Sequence, residues 1–315
     1  MSQATRSTRP EHNKPRRRAS YKYHPPAVSV FYDKIFSPMA GYGASFLPMW
    51  VHPNMITFGT LFFYIFPCIL VEYFPIVNPG GRTTYHYYVL FVCHILSWYA
   101  DNVDGKQARR TGTSSAFGEI LDHGVDAAGG TATLYYISKA LGADMPYLIA
   151  FYGATQLSFL GTHVDHLHNG QLLLGMRYWS VDEANIAAAF ALLACNFFDF
   201  SQTLVVFNAP WGAMPLSYAN IAFVMMTLSV CIVFGVSVLP RIPLGDINVI
   251  RFGVHAVLSA YILFFSTDFI AFMICSLSFG VILLRLLAQR VFSTDFGHQW
   301  EIIYMIVAPL LSQYA

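Results

Sequence analysis

Long apolar runs restrict this chain more than any other feature. Stretches of spanning length recur near 55–74, 84–103, 115–141, 145–162, 184–206, 219–239, 247–266, 268–290 and 299–315. About twenty such residues cross the hydrocarbon core of a bilayer as a helix. Lipid offers the backbone no hydrogen-bond partners, so a spanning segment of this kind is helical. Hydrophobic residues make up 56% of the 315 and charged residues only 11%. A soluble domain carries about 25% charged residues. The fold class that follows is all-α: a polytopic membrane helical bundle of about nine or ten spans.

The flanks of these runs give the topology. Residues 1–27 are polar, basic and Pro-containing, and read as a disordered cytosolic tail. Residues 28–50 mix aromatic and small residues, which suits a helix lying in the interface. The remainder, 28–315, reads as one membrane-embedded domain. With the N-terminus cytosolic, loops near 101–115, 163–183, 240–250 and 285–300 are cytosolic too. That arrangement places sixteen of the eighteen Lys and Arg residues on one side, a strong positive-inside bias. The other side receives only Arg82 and Lys139. The loop at 207–218 carries no charge, as expected of a short lumenal turn. The net charge of +1 and the bilayer setting exclude a nucleic-acid partner. Cys68, Cys93, Cys195, Cys231 and Cys275 are scattered through apolar runs, without ligand spacing, and read as core fillers.

Against this background one segment is acidic. Asp101, Asp104, Glu119, Asp122 and Asp126 place five carboxylates, with His123, inside twenty-six residues. Ionisable groups at membrane depth default to a functional reading. Asp101 and Asp104 share a face at the end of one helix, and Asp122 and Asp126 share one at the start of the next. Glu119, Asp122, His123 and Asp126 fall on one stripe at about 100° per residue. Two carboxylate pairs on adjacent antiparallel helices can converge on a common point. Like charges in low dielectric require cations. Oxygen ligands suit Mg²⁺ or Mn²⁺, and four aspartates can hold two ions, an arrangement suited to in-line displacement at phosphorus. Gly105 permits close approach of a backbone or a nucleotide, Ala108 keeps the same surface clear, and Arg109 can grip a diphosphate bidentately. A neutral imidazole is a better base at neutral pH than a metal-bound aspartate, which favours His123.

The pattern D-x-x-D-G-x-x-A-R, about eight residues, then G-x-x-x-D-x-x-x-D resembles the signature of the CDP-alcohol phosphatidyltransferases. Asp101, Asp104, Gly105, Ala108, Arg109, Gly118, Asp122 and Asp126 fill it completely. The local sequences DNVDGKQARRTGTSS and GEILDHGVDA, with LPMWVHPNMIT upstream, are most similar to the eukaryotic choline and ethanolamine phosphotransferases. The resemblance implies that Asp101, Asp104 and Asp122 bind metal and that Asp126 completes a second metal site. It implies that Arg109 and Asn54 contact a CDP donor. It makes His123 the general base, with Glu119 raising its basicity. It implies transfer of phosphocholine or phosphoethanolamine from CDP-choline or CDP-ethanolamine to diacylglycerol. The setting would be the endoplasmic reticulum or Golgi membrane, with the site facing the cytosol and a homodimer conceivable. That branch usually has ten spans, and nine are counted here.

Other classes stay open. Another CDP-alcohol phosphatidyltransferase, such as a phosphatidylinositol synthase, would take CDP-diacylglycerol. An intramembrane prenyltransferase also uses aspartates and Mg²⁺ but needs a second acidic motif, and the later half offers no paired one. A divalent-cation transporter needs acidic groups at the midplane. Choline is not distinguished from ethanolamine. His163, His166 and His168 are expected in a cytosolic loop.

Overall fold

The computed structural model describes residues 29–74, 85–209, 212–243, 245–265 and 269–292. The basic tail and the run at 299–315 lie outside the described residues. Nine α-helices and two short hairpins form the described chain. Helix α1 (Ser37–Phe46) continues from a π-helical turn over Tyr32–Phe36. Then come α2 (Pro53–Tyr73), α3 (Tyr85–Thr111), α4 (Ala116–Leu141) and α5 (Met145–Asn169). After these follow α6 (Val181–Ala194), α7 (Tyr218–Val233), α8 (Ile247–Phe265) and α9 (Phe269–Phe292). Three described stretches are long and apolar enough to cross a membrane: Pro53–Tyr73, Tyr218–Arg241 and Ile270–Phe292. The chain is an all-α polytopic membrane protein. Two features of the sequence decide the main helix boundaries. Pro53 starts α2 at a position where its missing N–H costs nothing, with His52 Nδ1 accepting from the Asn54 N–H at 3.3 Å. Ser115 caps α4, its Oγ accepting from the Gly118 N–H at 3.0 Å.

Small residues bring the helices together, as expected where lipid removes the hydrophobic drive between spans. Helix α2 packs against both α3 and α4, which touch each other little. A Cβ on Gly129 would lie 2.2 Å from the Tyr64 ring, so only glycine lets α4 meet α2 there. A Cβ on Gly124 would lie 2.8 Å from Leu284, which fixes the approach of α9 to the other side of α4. Helix α9 is the most buried of the three apolar stretches. Its Phe279, Ile282, Leu283 and Leu286 pack with Leu160 and Val164 of α5. Helix α1 lays Ala40 and Ala44 on Val103 of α3.

Three expectations need correction. The span at 184–206 ends at Ala194. The chain still passes between the two ends of the bundle here: Asp182 bonds Trp98 and Asn102 beside Asp101, while Ser201 lies 3.4 Å from where a Gly142 Cβ would stand, at the far end of α4. Asp199 stops the apolar run with an Asx turn, its Oδ1 accepting from the Ser201 N–H at 3.0 Å. The uncharged loop at 207–218 is instead mostly a hairpin, β3 (Thr203–Ala209) paired antiparallel with β4 (Gly212–Ser217). Lastly, α5 runs past 162 to Asn169, so the three histidines stand on a helix. A two-residue pairing of β1 (Gly175–Met176) with β2 (Trp179–Ser180) then leads into α6.

Candidate metal and nucleotide site

The acidic segment converges as its spacing requires. Asp101 and Asp104 come from the last turns of α3, and Asp122 and Asp126 from the first turns of α4. Ligand atoms of Asp101, Asp104 and Asp122 all lie within 4.8 Å of one another. Those of Asp122, His123 and Asp126 do so as well. Asp122 belongs to both groups, so the two sets adjoin. Its Oδ1 is buried and has no hydrogen-bond partner. A buried carboxylate oxygen without a donor is costly, and a hard cation would satisfy it. The residues present therefore fit a divalent metal.

Asp104 is only 4% exposed. Thr57 of α2 donates its hydroxyl to Asp104 Oδ2 at 2.5 Å. Thr57 belongs to the same Pro-Asn-x-Ile-Thr stretch as Asn54, yet sequence reasoning singled out only Asn54. Asn54 is half-buried at the start of α2, its Oδ1 3.5 Å from where a Gly118 Cβ would stand. Arg109 folds its guanidinium back over Gly105, with Nη1 3.5 Å from the position of a Cβ there. Ala108 is half-buried, and its carbonyl accepts from the Thr113 N–H at 3.0 Å, closing the end of α3.

His123 lies beside the aspartates. Its Nδ1 is 3.8 Å from Asp126 Oδ2 and its Nε2 is 4.0 Å from Glu119 Oε1. Neither distance is a hydrogen bond, so the imidazole is near both carboxylates but tied to neither. Glu119 is instead bonded to Arg290, on the last turn of α9. Arg290 Nη1 also donates to His166 Nε2 at 3.0 Å. The His163 ring stands edge-on to His123, with centroids 4.9 Å apart. Its Nδ1 lies 2.7 Å from the Phe159 carbonyl, and its Nε2 is buried without a hydrogen-bond partner.

His163 and His166 are therefore buried beside the site rather than placed in a loop. Their three-residue spacing was the available signal, since it puts both on one helix face. His168 turns elsewhere, to Asp246 Oδ2 at 2.9 Å. Asp182 was also passed over. It is buried at the start of α6 and accepts from Trp98 Nε1 at 2.8 Å and Asn102 Nδ2 at 3.1 Å. Both donors flank Asp101 on α3. A serine cap with Glu183 three residues on, forming a capping box, marked that helix start.

Residues 50–314 match the CDP-alcohol phosphatidyltransferase family model. The chain belongs to that family. The matched region contains every residue of the site just described, from Asn54 to Arg290, and leaves α1 outside. CDP-alcohol phosphatidyltransferases are generally metal-dependent, and the acidic groups here accord with that. Ethanolaminephosphotransferase 1 of Homo sapiens is 28% identical over 186 residues, covering 55% of this chain and 46% of that protein. Choline/ethanolaminephosphotransferase 2 of Arabidopsis thaliana is 31% identical over 201 residues, covering 62% of this chain and 47% of that protein. Choline/ethanolaminephosphotransferase 1 of Saccharomyces cerevisiae is 31% identical over 130 residues, covering 41% and 33%. The chain spans about half the length, or less, of the curated relatives it matches.

Proposed function

We propose that this protein transfers phosphocholine or phosphoethanolamine from CDP-choline or CDP-ethanolamine to diacylglycerol, releasing CMP. One observation carries the reading: four convergent aspartates with an untethered imidazole beside them, at one end of two helices in an apolar bundle. The names of the matched relatives agree with it. Asp101, Asp104, Asp122 and Asp126 would hold Mg²⁺ or Mn²⁺, two ions in all, which when bound neutralise charge developing on the diphosphate. Arg109 grips the diphosphate, and Asn54 contacts the nucleotide. Gly105 and Ala108 leave its path clear.

Diacylglycerol reaches the site from the bilayer. His123 takes the proton of its free hydroxyl. The hydroxyl oxygen forms a bond to the phosphorus bearing the amino alcohol. The bond from that phosphorus to the diphosphate bridge breaks, and its electron pair leaves on CMP. We place the site on the cytosolic face of the endoplasmic reticulum membrane, with residues 1–27 as a basic tail and 28–315 as one catalytic domain. The positive-inside charge pattern supports this orientation.

The test is CMP release by purified protein given diacylglycerol, Mg²⁺ and each CDP-alcohol in turn. Release from at least one donor is expected, and release from neither sinks the reading. His123→Ala is expected to lower turnover about 10²–10⁴-fold, the usual worth of a general base. Near-full turnover in that variant would remove only the base assignment.

A further inference from the structure

Arg290 lies far from the acidic motif in sequence, and nothing in the motif calls for it. Its guanidinium nevertheless joins three helices around His123. From the last turn of α9 one nitrogen donates to Glu119 on α4, and the other donates to His166 on α5 at 3.0 Å. Arginine cannot lose its proton, so His166 Nε2 must accept and the imidazole proton sits on Nδ1. The fork is half-buried, with the Arg290 side chain 21% exposed and that of Glu119 13%. A planar fork fixes both partners at once, which an ammonium point charge cannot do.

The consequence falls on His123. It is one turn from Glu119, and its ring leans on His163, which is one turn before His166 on α5. Held by Arg290, Glu119 stays 4.0 Å from the imidazole and does not bond it. With the bond to Arg290 lost, Glu119 has one restraint fewer against closing on His123 and turning the ring away from an incoming hydroxyl. We infer that Arg290 is a positioning residue, which clamps Glu119 and His166 so that the α4 and α5 walls hold His123 in its reactive orientation. The proposed role runs through those two residues. The inference rests on the proposed role of His123 as the base.

The test compares wild type with Arg290→Gln, Arg290→Lys and Arg290→Ala in the full-length protein. Arg290→Gln is expected to lower kcat at least ~10-fold with KM for the CDP donor within about twofold. Arg290→Lys should recover little of that loss. Methylguanidinium should restore part of the Arg290→Ala turnover, which a merely misfolded variant would not show. In a Glu119→Gln background, Arg290→Gln should add little further loss, because the pair acts as a unit. Unchanged kcat, a loss confined to KM, or fully multiplicative losses would each overturn the clamp. Amide exchange gives a reading independent of turnover: Arg290→Gln should speed exchange over 119–126 and 163–169. Unchanged exchange there also overturns it. If wild type releases CMP from neither donor, the functional reading fails, while the exchange comparison still judges the clamp.

Discussion

Two of the buried polar clusters among the described residues differ in kind. On α5 and α8, His255 Nε2 is 3.2 Å from Gln156 Oε1 and 3.3 Å from Ser259 Oγ, with all three residues buried. The members can be neutral, and they offer donors to acceptors. Such contacts between spanning helices hold a bundle together at about 0.6 kcal/mol each. On α3 and α4 the four aspartates offer only acceptors to one another. Thr57 answers one oxygen on Asp104, and Asp122 Oδ1 goes unanswered. A neutral polar cluster whose donors meet acceptors serves packing, even with one amide nitrogen, Gln156 Nε2, left over. A cluster that leaves its own acceptors facing each other is built to receive something positive, at a cost to the empty fold.

The sharpest way to break the comparison is to neutralise a shared ligand. Asp122→Asn should reduce CMP release by at least ~10³-fold, since both carboxylate groups lose a member and in-line displacement depends on them. The same variant should melt no lower than wild type in metal-free detergent solution, because like-charge repulsion is relieved. Low activity together with a large drop in melting temperature would make the aspartates structural.

The neutral cluster should respond the other way. Gln156→Leu removes a hydrogen-bond partner of His255 that bonds none of the aspartates. A stability loss of about 0.6–1.7 kcal/mol is expected, the range found for hydrogen bonds between spanning helices. Turnover should stay within about threefold of wild type. A large fall in kcat at unchanged stability would mean that the second cluster also takes part in chemistry.

The same contrast explains what could be read before the fold was known. The aspartates and His123 were legible because one turn of chain joins their helices, and helical periodicity alone puts them on facing sides. The apolar runs were legible for a similar reason, as each is a local average. Thr57, His163, His166, Asp182 and Arg290 were not legible as site residues. They arrive from α2, α5, α6 and α9, and only tertiary packing through Gly124 and Gly129 brings α9 and α2 against α4. The end of α6 was missed because Cys195, Phe197 and Phe198 keep the hydropathy high through the turn. Only the Asp199–Ser201 side-chain bonds mark the stop.

Asp246 tests the smallest effect, at a charge that is paired rather than crowded. It precedes α8, where its Oδ1 accepts from the Asn248 N–H at 2.7 Å and its Oδ2 lies 2.9 Å from His168 Nε2. Burial alone would raise its carboxyl, but the bonds from His168 and Asn248 outweigh it and hold the group below the usual carboxylate range. A carboxyl depressed in the folded state adds stability above its unfolded pKa, and the gain is lost as pH falls through the folded value. Asp246→Asn keeps the cap and loses the charge, so it should cost about 0.5 kcal/mol at neutral pH, within the range for exposed pairs. The difference from wild type should be at least as large at pH 5.5 as at pH 7, because a histidine partner can only gain positive charge over that interval, and should shrink below about pH 4, where the unfolded carboxyl takes up its proton. Melting curves in detergent at these three values decide it. A difference that vanishes between pH 7 and pH 5.5 would show that the aspartate charge is not its source.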